Sequence, residues 1–440
     1  MYLSKIIKTK NKMYIYDALN NDFETISSID EIEDKSKYKY FLRRTDFRDI
    51  KKSCSFKIKY PFSDIELSNM YKNSVNSITL VLTENCNLRC KYCGYMPKYT
   101  NKNYKLKDMS KTVAIKSIDF IMNSSNESET CHIGFYGGEP LIKIDLIKEC
   151  IDYINSKYPF RKPTYNIVTN AVLLDKNIAE FLMENNFKII ISLDGPTQEF
   201  NKYRVLPNDE CSFEKAFNNI KNLYYMDPKY FRENVTYNVV MYNGPSNELF
   251  EVMDNLWKSG VNMIELFKTD YFVEHRENDG INSQNGSINV KEYKFAYDNM
   301  LKTMKKYYNA FYNSSGGNLI FPGGFCIPGV RKNFITPEGK ILVCEKVDES
   351  KSVYEIGNIE VGIEIDKVNN LIRETMNSLE KCKYCWAARF CRVCFKDIIN
   401  INEEFCKQSR IDIERELSYY LEYVNNNREL LNHISNISLI

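Results

Sequence analysis

Histidine is scarce, the two signs of charge nearly cancel, and long apolar runs are missing. The three histidines (His132, His275, His433) are scattered, and His132, beside Cys131 at the start of an apolar run, reads as structural. A net charge of +2 gives no electrostatic reason to expect nucleic acid or an anionic membrane surface as a partner. No stretch is apolar for long enough to span a bilayer. The Met1–Tyr16 segment alternates lysines with single apolar residues and lacks a signal peptide's apolar core and cleavage site. The expectation is therefore a cytoplasmic protein with no membrane partner. A length of 440 residues leaves room for two or three domains and a sizeable core.

Cysteine is what the chain has in abundance. Fourteen cysteines without an export signal point to metal binding or redox chemistry rather than structural disulfides, because cytosolic thiols are kept reduced. Ten of them fall in two groups: Cys86, Cys90 and Cys93, then Cys326, Cys344, Cys382, Cys385, Cys391, Cys394 and Cys406. The other four (Cys54, Cys131, Cys150, Cys211) are isolated and read as small buried hydrophobes.

Between these groups the sequence alternates. Six short apolar, β-branched runs (77–83, 131–138, 164–170, 188–195, 235–242, 262–268) are separated by helix-length segments, including helices expected near 176–185 and 212–226. Such runs are buried on both faces of a parallel sheet, and right-handed crossovers wind them into a barrel or open sheet. The expected fold is α/β, a partial (β/α)6 TIM-like barrel over 75–275. Residues 1–74 form an N-terminal region with a hairpin turning at Asn20–Asn21, 276–320 a polar connector, and 321–440 a cysteine-rich C-terminal domain ending in a helix at about 403–427. In such folds chemistry sits at the C-terminal ends of the strands, where Cys86, Gly137, Gly138, Asn170 and Asp194 all fall.

The first group reads "LTENCNLRCKYCGY", with spacing C-x3-C-x2-C. Three thiolates can hold three irons of a [4Fe–4S] cube and leave the fourth open to an outside ligand, whereas simple ferredoxin clusters use four. A core helix could show the same i, i+4, i+7 spacing. Asn85, Asn87, Arg89, Gly94 and the strand just before argue against it. The motif, with Tyr92 in its aromatic place, resembles that of the radical S-adenosylmethionine (SAM) superfamily, and "GGEP" (Gly137, Gly138, Glu139, Pro140), "TN" (169–170), "SLDG" (192–195) and Arg204 extend the resemblance. It implies that the open iron chelates the amino and carboxylate groups of SAM, whose reductive cleavage yields a 5′-deoxyadenosyl radical. It also implies that Glu139 receives the SAM ammonium, that Asn170, Ser192 and Asp194 line the nucleoside, and that Arg204 grips the methionine carboxylate. Ala171 stands where relatives have glycine, which puts the shape of that loop in question.

From Cys326 the pattern is C-x12-G-x4-C, a gap, C-x2-C-x5-C-x2-C, and Cys406. A zinc ribbon separates its two C-x2-C pairs by about 15–20 residues, and seven cysteines exceed one tetrahedral site. The pattern instead resembles the SPASM extension of peptide-modifying radical enzymes. That resemblance implies two auxiliary [4Fe–4S] clusters, one on Cys382, Cys385, Cys391 and Cys406, the other on Cys326, Cys344 and Cys394. The Cys391–Cys394 gap is one residue short of the family's spacing. No cysteine precedes Cys326 in "SSGGNLIFPGGF", so the second of these clusters is expected to keep an open iron.

Taken together, "FYGGEPLI", "VTN", "ISLDGP", "YRV" and the SPASM-like tail resemble maturases of ribosomally made peptides. The implied activity is hydrogen abstraction from a residue of a precursor peptide (leader plus core) to form a thioether or carbon–carbon crosslink. A flavodoxin- or ferredoxin-like protein would donate the electron, and the N-terminal hairpin could capture the leader by strand addition or merely cap the barrel. Two alternatives stand beside it: an anaerobic sulfatase-maturing enzyme making formylglycine, with Asp270 as a weak candidate base, and a non-catalytic iron–sulfur electron carrier or redox sensor. The 32 tyrosines are expected to serve packing.

Overall fold

The computed structural model describes residues 3–27, 55–240, 266–267, 319–322 and 327–423, apart from single positions at 102, 129, 196, 392 and 400, together with a few isolated residues beyond these. Asp270, His275, His433, Cys54 and Cys326 lie outside the described residues, as does most of the connector expected over 276–320.

Chain order begins with strands β1 (Ser4–Lys8), β2 (Met13–Asp17), β3 (Asp22–Ile26) and β4 (Lys57–Ile58), then helix α1 (Asp64–Asn73). The alternating part follows: β5 (Ser77–Thr83), α2 (Met96–Thr100), α3 (Lys111–Ser124), β6 (His132–Gly137), α4 (Ile144–Lys157), β7 (Thr164–Thr169), α5 (Lys176–Glu184), β8 (Lys188–Ser192), α6 (Phe213–Met226), α7 (Pro228–Asn234), β9 (Val235–Val240) and β10 (Leu266–Phe267). β5 to β10 pair in parallel and in sequence order. This is the α/β arrangement expected from the six apolar runs. The strands form because Ile78, Leu80, Ile133, Phe135, Ile167, Ile189 and Ile191 lose all exposure between the helices and the sheet. Helix starts are set by local chemistry: Ser110 accepts from the Val113 N–H at 3.2 Å and Asp175 from the Ile178 N–H at 2.9 Å. Among the described residues no helix is long and apolar enough to cross a membrane.

Two features depart from the sequence reading. The N-terminal hairpin is a three-stranded antiparallel meander, β1-β2-β3, and among the described residues it packs on the C-terminal region rather than on the barrel. Ile7, Tyr14 and Tyr16 pack instead with Trp386, Phe390, Leu417 and Tyr420 in a core of their own. Arg389 ties the two together, donating from Nε to the Ala18 carbonyl at 2.6 Å. In addition, β11 (Leu319–Ile320) pairs in parallel with β4, and the main sheet continues past β5. β12 (Phe334–Ile335) pairs in parallel with β5, and antiparallel β13 (Lys340–Leu342), β14 (Glu355–Asn358) and β15 (Gly362–Ile363) follow outward from it. Phe334, Ile341, Ile356 and Leu371 thus belong to the barrel's own core. Two more helices close the chain, α8 (Ile365–Ser378) and α9 (Glu403–Tyr423).

Candidate active site at the strand ends

Every described residue that the sequence marks for SAM chemistry lies at the C-terminal ends of β5 to β8 or in the loops leaving them. The loop after β5 carries Cys86, Cys90 and Cys93 and is shaped by its own backbone. The Leu88 N–H donates to Cys86 Sγ at 3.3 Å and the Tyr95 N–H to Cys93 Sγ at 3.4 Å. Arg89 Nη1 donates to the Cys86 and Leu88 carbonyls, each at 2.7 Å, while its guanidinium covers the Tyr99 ring at 4.3 Å. Burial raises all three thiol pKa values, that of Cys86 to about 12. Thiols gathered at such depth ionise when a cation compensates them.

The glycines of GGEP have a definite task. A Cβ on Gly138 would stand 2.2 Å from the Asn85 carbonyl oxygen, and one on Gly137 would stand 2.3 Å from that of Thr83. The close approach they permit is therefore to the cysteine loop's own backbone. Pro140 opens a 3-10 turn (Pro140–Lys143), and buried Glu139 accepts from the Leu141 N–H (3.1 Å), the Thr169 hydroxyl (2.7 Å) and the Asn170 N–H (2.8 Å). Those three donors lower its pKa, yet burial prevails and lifts it to about 6. Glu139 thereby fixes the Asn170 loop, and Asn170 Nδ2 reaches Asn87 Oδ1 at 2.8 Å beside Cys86 Sγ. Ala171 takes φ 61°, the conformation a glycine would favour, so the loop keeps that shape without one.

Asp194 and Arg204 are both buried and face each other, with the Tyr92 hydroxyl bonded to each. Ser192 ends β8. Asn87 Nδ2 is buried beside Cys86 with no partner among the described residues. An orphaned donor at the rim of the three-cysteine loop fits a site shaped for a bound group.

In the C-terminal part, Cys382, Cys385, Cys391 and Cys406 line one small cavity together with Lys381, Ser409 and Arg410. These are the four that the family resemblance assigns to one cluster, and the two cations suit thiolates. Cys394 does not line that cavity. Its N–H donates to Asp397 Oδ2 at 2.8 Å. Cys344, just past β13, has Sγ 3.1 Å from Glu345 Oε2, and Lys332 pairs with Glu345 at 3.0 Å, keeping that carboxyl's pKa low against the opposing effect of burial. All twelve described cysteines are free. Cys150 is a fully buried core residue, and Cys131 and Cys211 pack against the same core. His132 bonds the Thr164 hydroxyl, a structural role.

Sequence reasoning missed the bridge that holds the two cysteine-bearing regions together. Lys98 Nζ donates to Glu84 Oε1 at 2.7 Å and to Glu349 Oε2 at 2.8 Å. Glu84, only 2% exposed, also accepts from the Tyr104 hydroxyl and the Lys107 N–H. Its neighbourhood in the first cysteine loop, "TENC", was the available signal; Glu349 offered none.

Residues 80–256 match the family model described as the radical SAM superfamily. The chain is 29% identical over 346 residues to a cysteine-type anaerobic sulfatase-maturating enzyme of Clostridium novyi, covering 72% of this chain and 87% of that protein. It is 32% identical over 135 residues to the radical SAM cyclopropyl synthase TigE of Paramaledivibacter caminithermalis, 28% of each chain. The solved structure of anSMEcpe with bound AdoMet shares the fold, with TM-score 0.55 and 19% identity over 82% of this chain and 98% of that one.

Proposed function

Because this chain carries a radical SAM domain, we propose that it abstracts hydrogen from a residue of a ribosomally made precursor peptide and leaves a thioether or carbon–carbon crosslink. In this reading Cys86, Cys90 and Cys93 hold the [4Fe–4S] cluster that engages SAM. Cys382, Cys385, Cys391 and Cys406 hold one auxiliary cluster, and Cys326, Cys344 and Cys394 hold another. Cluster and SAM together supply a 5′-deoxyadenosyl radical. Asn170, Ser192 and Asp194 line the nucleoside, Glu139 faces the ammonium while pinning the Asn170 loop, and Arg204 turns its remaining N–H groups to the methionine carboxylate.

The Lys98 bridge carries the reading furthest. It joins Glu84, two residues before Cys86, to Glu349, five after Cys344, so the loop of the first cysteine group is tied to the segment that carries an auxiliary cysteine. A peptide side chain held there would meet the radical on one side and an electron acceptor or thiolate ligand on the other. Peptide substrates fit the relatives: the structure of anSMEcpe with a bound Cp18Cys peptide shares this fold. The leader would add a strand at β3, which among the described residues pairs only with β2. A flavodoxin- or ferredoxin-like protein would deliver the electron.

Formylglycine formation is the second reading, favoured by the sulfatase-maturating relative matched over 87% of its length and by Glu345, a carboxylate with Oε2 3.1 Å from Cys344 Sγ. Co-expression with the small open reading frames neighbouring the gene, followed by mass spectrometry and hydrazide labelling, separates them. Loss of two hydrogens with no aldehyde supports crosslinking, whereas a hydrazide-reactive product supports formylglycine. An unchanged mass with every partner contradicts both.

A further inference from the structure

Two asparagine carboxamides meet beside the first cysteine group, and their hydrogen bonds leave one N–H group over. Asn170 is held twice by its surroundings. Its backbone N–H donates to Glu139 Oε2 at 2.8 Å, and its side-chain Oδ1 accepts from the Val172 N–H at 3.0 Å. A backbone N–H can only donate, so the atom facing Val172 is the oxygen and Nδ2 must point the other way. There Asn170 Nδ2 reaches Asn87 Oδ1 at 2.8 Å and Cys86 Sγ at 3.7 Å. The same logic orients the second amide. Asn87 gives its oxygen to Asn170, so its own Nδ2 is turned elsewhere, and that atom is buried with no partner among the described residues.

The sulfur of Cys86 is the neighbour both amides share. It accepts from the Leu88 N–H at 3.3 Å and from Asn170 Nδ2, and it lies 3.7 Å from Asn87 Oδ1. In that last contact the thiol donates its proton to the oxygen. A sulfur bound to iron has no proton to give and can only accept, so the donors then decide its surroundings. Of the first three cysteines, Cys86 is the one that receives a side-chain N–H among the described residues. The donors come from two loops, Asn87 after β5 and Asn170 after β7, so the fold presets them.

We propose that Asn87 and Asn170 are a donor pair whose N–H groups hydrogen-bond sulfur atoms of the cluster held by Cys86, Cys90 and Cys93 and raise its reduction potential. This rests on the cluster reading above and adds what sets the ease of its reduction. One electron from the donor protein makes the bound group one unit more negative, and no bond forms or breaks. N–H dipoles aimed at its sulfurs stabilise that reduced form more than the oxidised one, most of all away from water. Asn170 serves the Cys86 sulfur directly and also turns Asn87 into its donating orientation.

The test is a redox titration of the anaerobically reconstituted holoenzyme without SAM, with dithionite as reductant. Electron paramagnetic resonance follows the signal that is absent from Cys90→Ala. The native protein is compared with Asn87→Ala, Asn170→Ala, the double variant, and Asn123→Ala, an exposed position on α3, as control. Iron content checks that each variant is assembled. We expect Asn87→Ala to shift the equilibrium about tenfold toward the oxidised form, a midpoint about 59 mV lower for one electron. Asn170→Ala should shift it further, and the double variant no further than Asn170→Ala, because Asn87 loses its orientation with its partner. Asn123→Ala should match the native protein. A midpoint that does not fall in an assembled variant of either asparagine, or an equal fall in Asn123→Ala, overturns the inference and leaves the cluster reading standing. Where one asparagine variant loses its iron, the other decides. A native protein with no signal that depends on Cys90 overturns both.

Discussion

Arg204 Nη1 lies 3.7 Å from Asp194 Oδ1 with both side chains buried, and the Tyr92 hydroxyl joins the pair, 2.6 Å from Arg204. Tyr92 belongs to the cysteine loop, while Asp194 and Arg204 both lie in the segment after β8, so the Tyr92 hydroxyl couples two strand ends through one ion pair. Removing one partner would leave a charge stranded in the interior. Arg204→Met should cost about 3–5 kcal/mol, and adding Asp194→Asn should return much of it, because the double variant strands no charge. Urea unfolding of the metal-free protein measures both; additive losses would contradict the pairing.

Gly138 tests the packing of the cysteine loop against β6. A methyl group there meets the Asn85 carbonyl at 2.2 Å, and backbone cannot swing aside. Gly138→Ala should weaken the first cysteine site while sparing the cavity of Cys382, Cys385, Cys391 and Cys406. The expected outcome is lower iron content together with loss of the SAM-induced change in the electron paramagnetic resonance spectrum. Iron content equal to that of the native protein would contradict it.

Glu139 should make stability depend on pH. Its folded pKa of about 6 lies above the ordinary 4.5 because burial outweighs its three donors. An acid raised on folding contributes stability that is full below its unfolded pKa and is lost as pH rises through its folded pKa. The metal-free protein should therefore lose about 2 kcal/mol of this contribution between pH 4.5 and 6.5, and Glu139→Gln should flatten that slope. Denaturation midpoints across the range decide it.

The C-terminal cavity makes a separate prediction. Cys406 sits on α9 and its three partners on the 382–391 segment, so its thiol closes the set across elements. Cys406→Ala should reduce iron content without abolishing SAM cleavage. Complete loss of 5′-deoxyadenosine formation with the first site intact would show that the two regions are not separable.

Much of this was legible in the sequence because the signals are local. Apolar runs such as "KIIIS" and "SITLVLT" declare buried parallel strands, and the resemblance to the SPASM extension grouped four cysteines that line one cavity. What was hidden is long-range. Phe334–Ile335 is too short a strand to announce that it pairs with β5, 255 residues earlier at Thr79. The N-terminal meander gives no hint of docking on Trp386 and Phe390, since amphipathic strands reveal a buried face and not what covers it. Asn87 and Asn170 stand 83 residues apart, and only geometry shows their carboxamides paired beside Cys86.

The central claim is that three thiolates after β5 hold a cluster that passes an electron to SAM. The decisive measurement is electron paramagnetic resonance of the anaerobically reconstituted, dithionite-reduced protein with and without SAM, with 5′-deoxyadenosine quantified in the same samples. The account requires a reduced-cluster signal that shifts when SAM is added and 5′-deoxyadenosine that forms, both abolished in Cys90→Ala. A signal indifferent to SAM, or 5′-deoxyadenosine formation that survives Cys90→Ala, would contradict it.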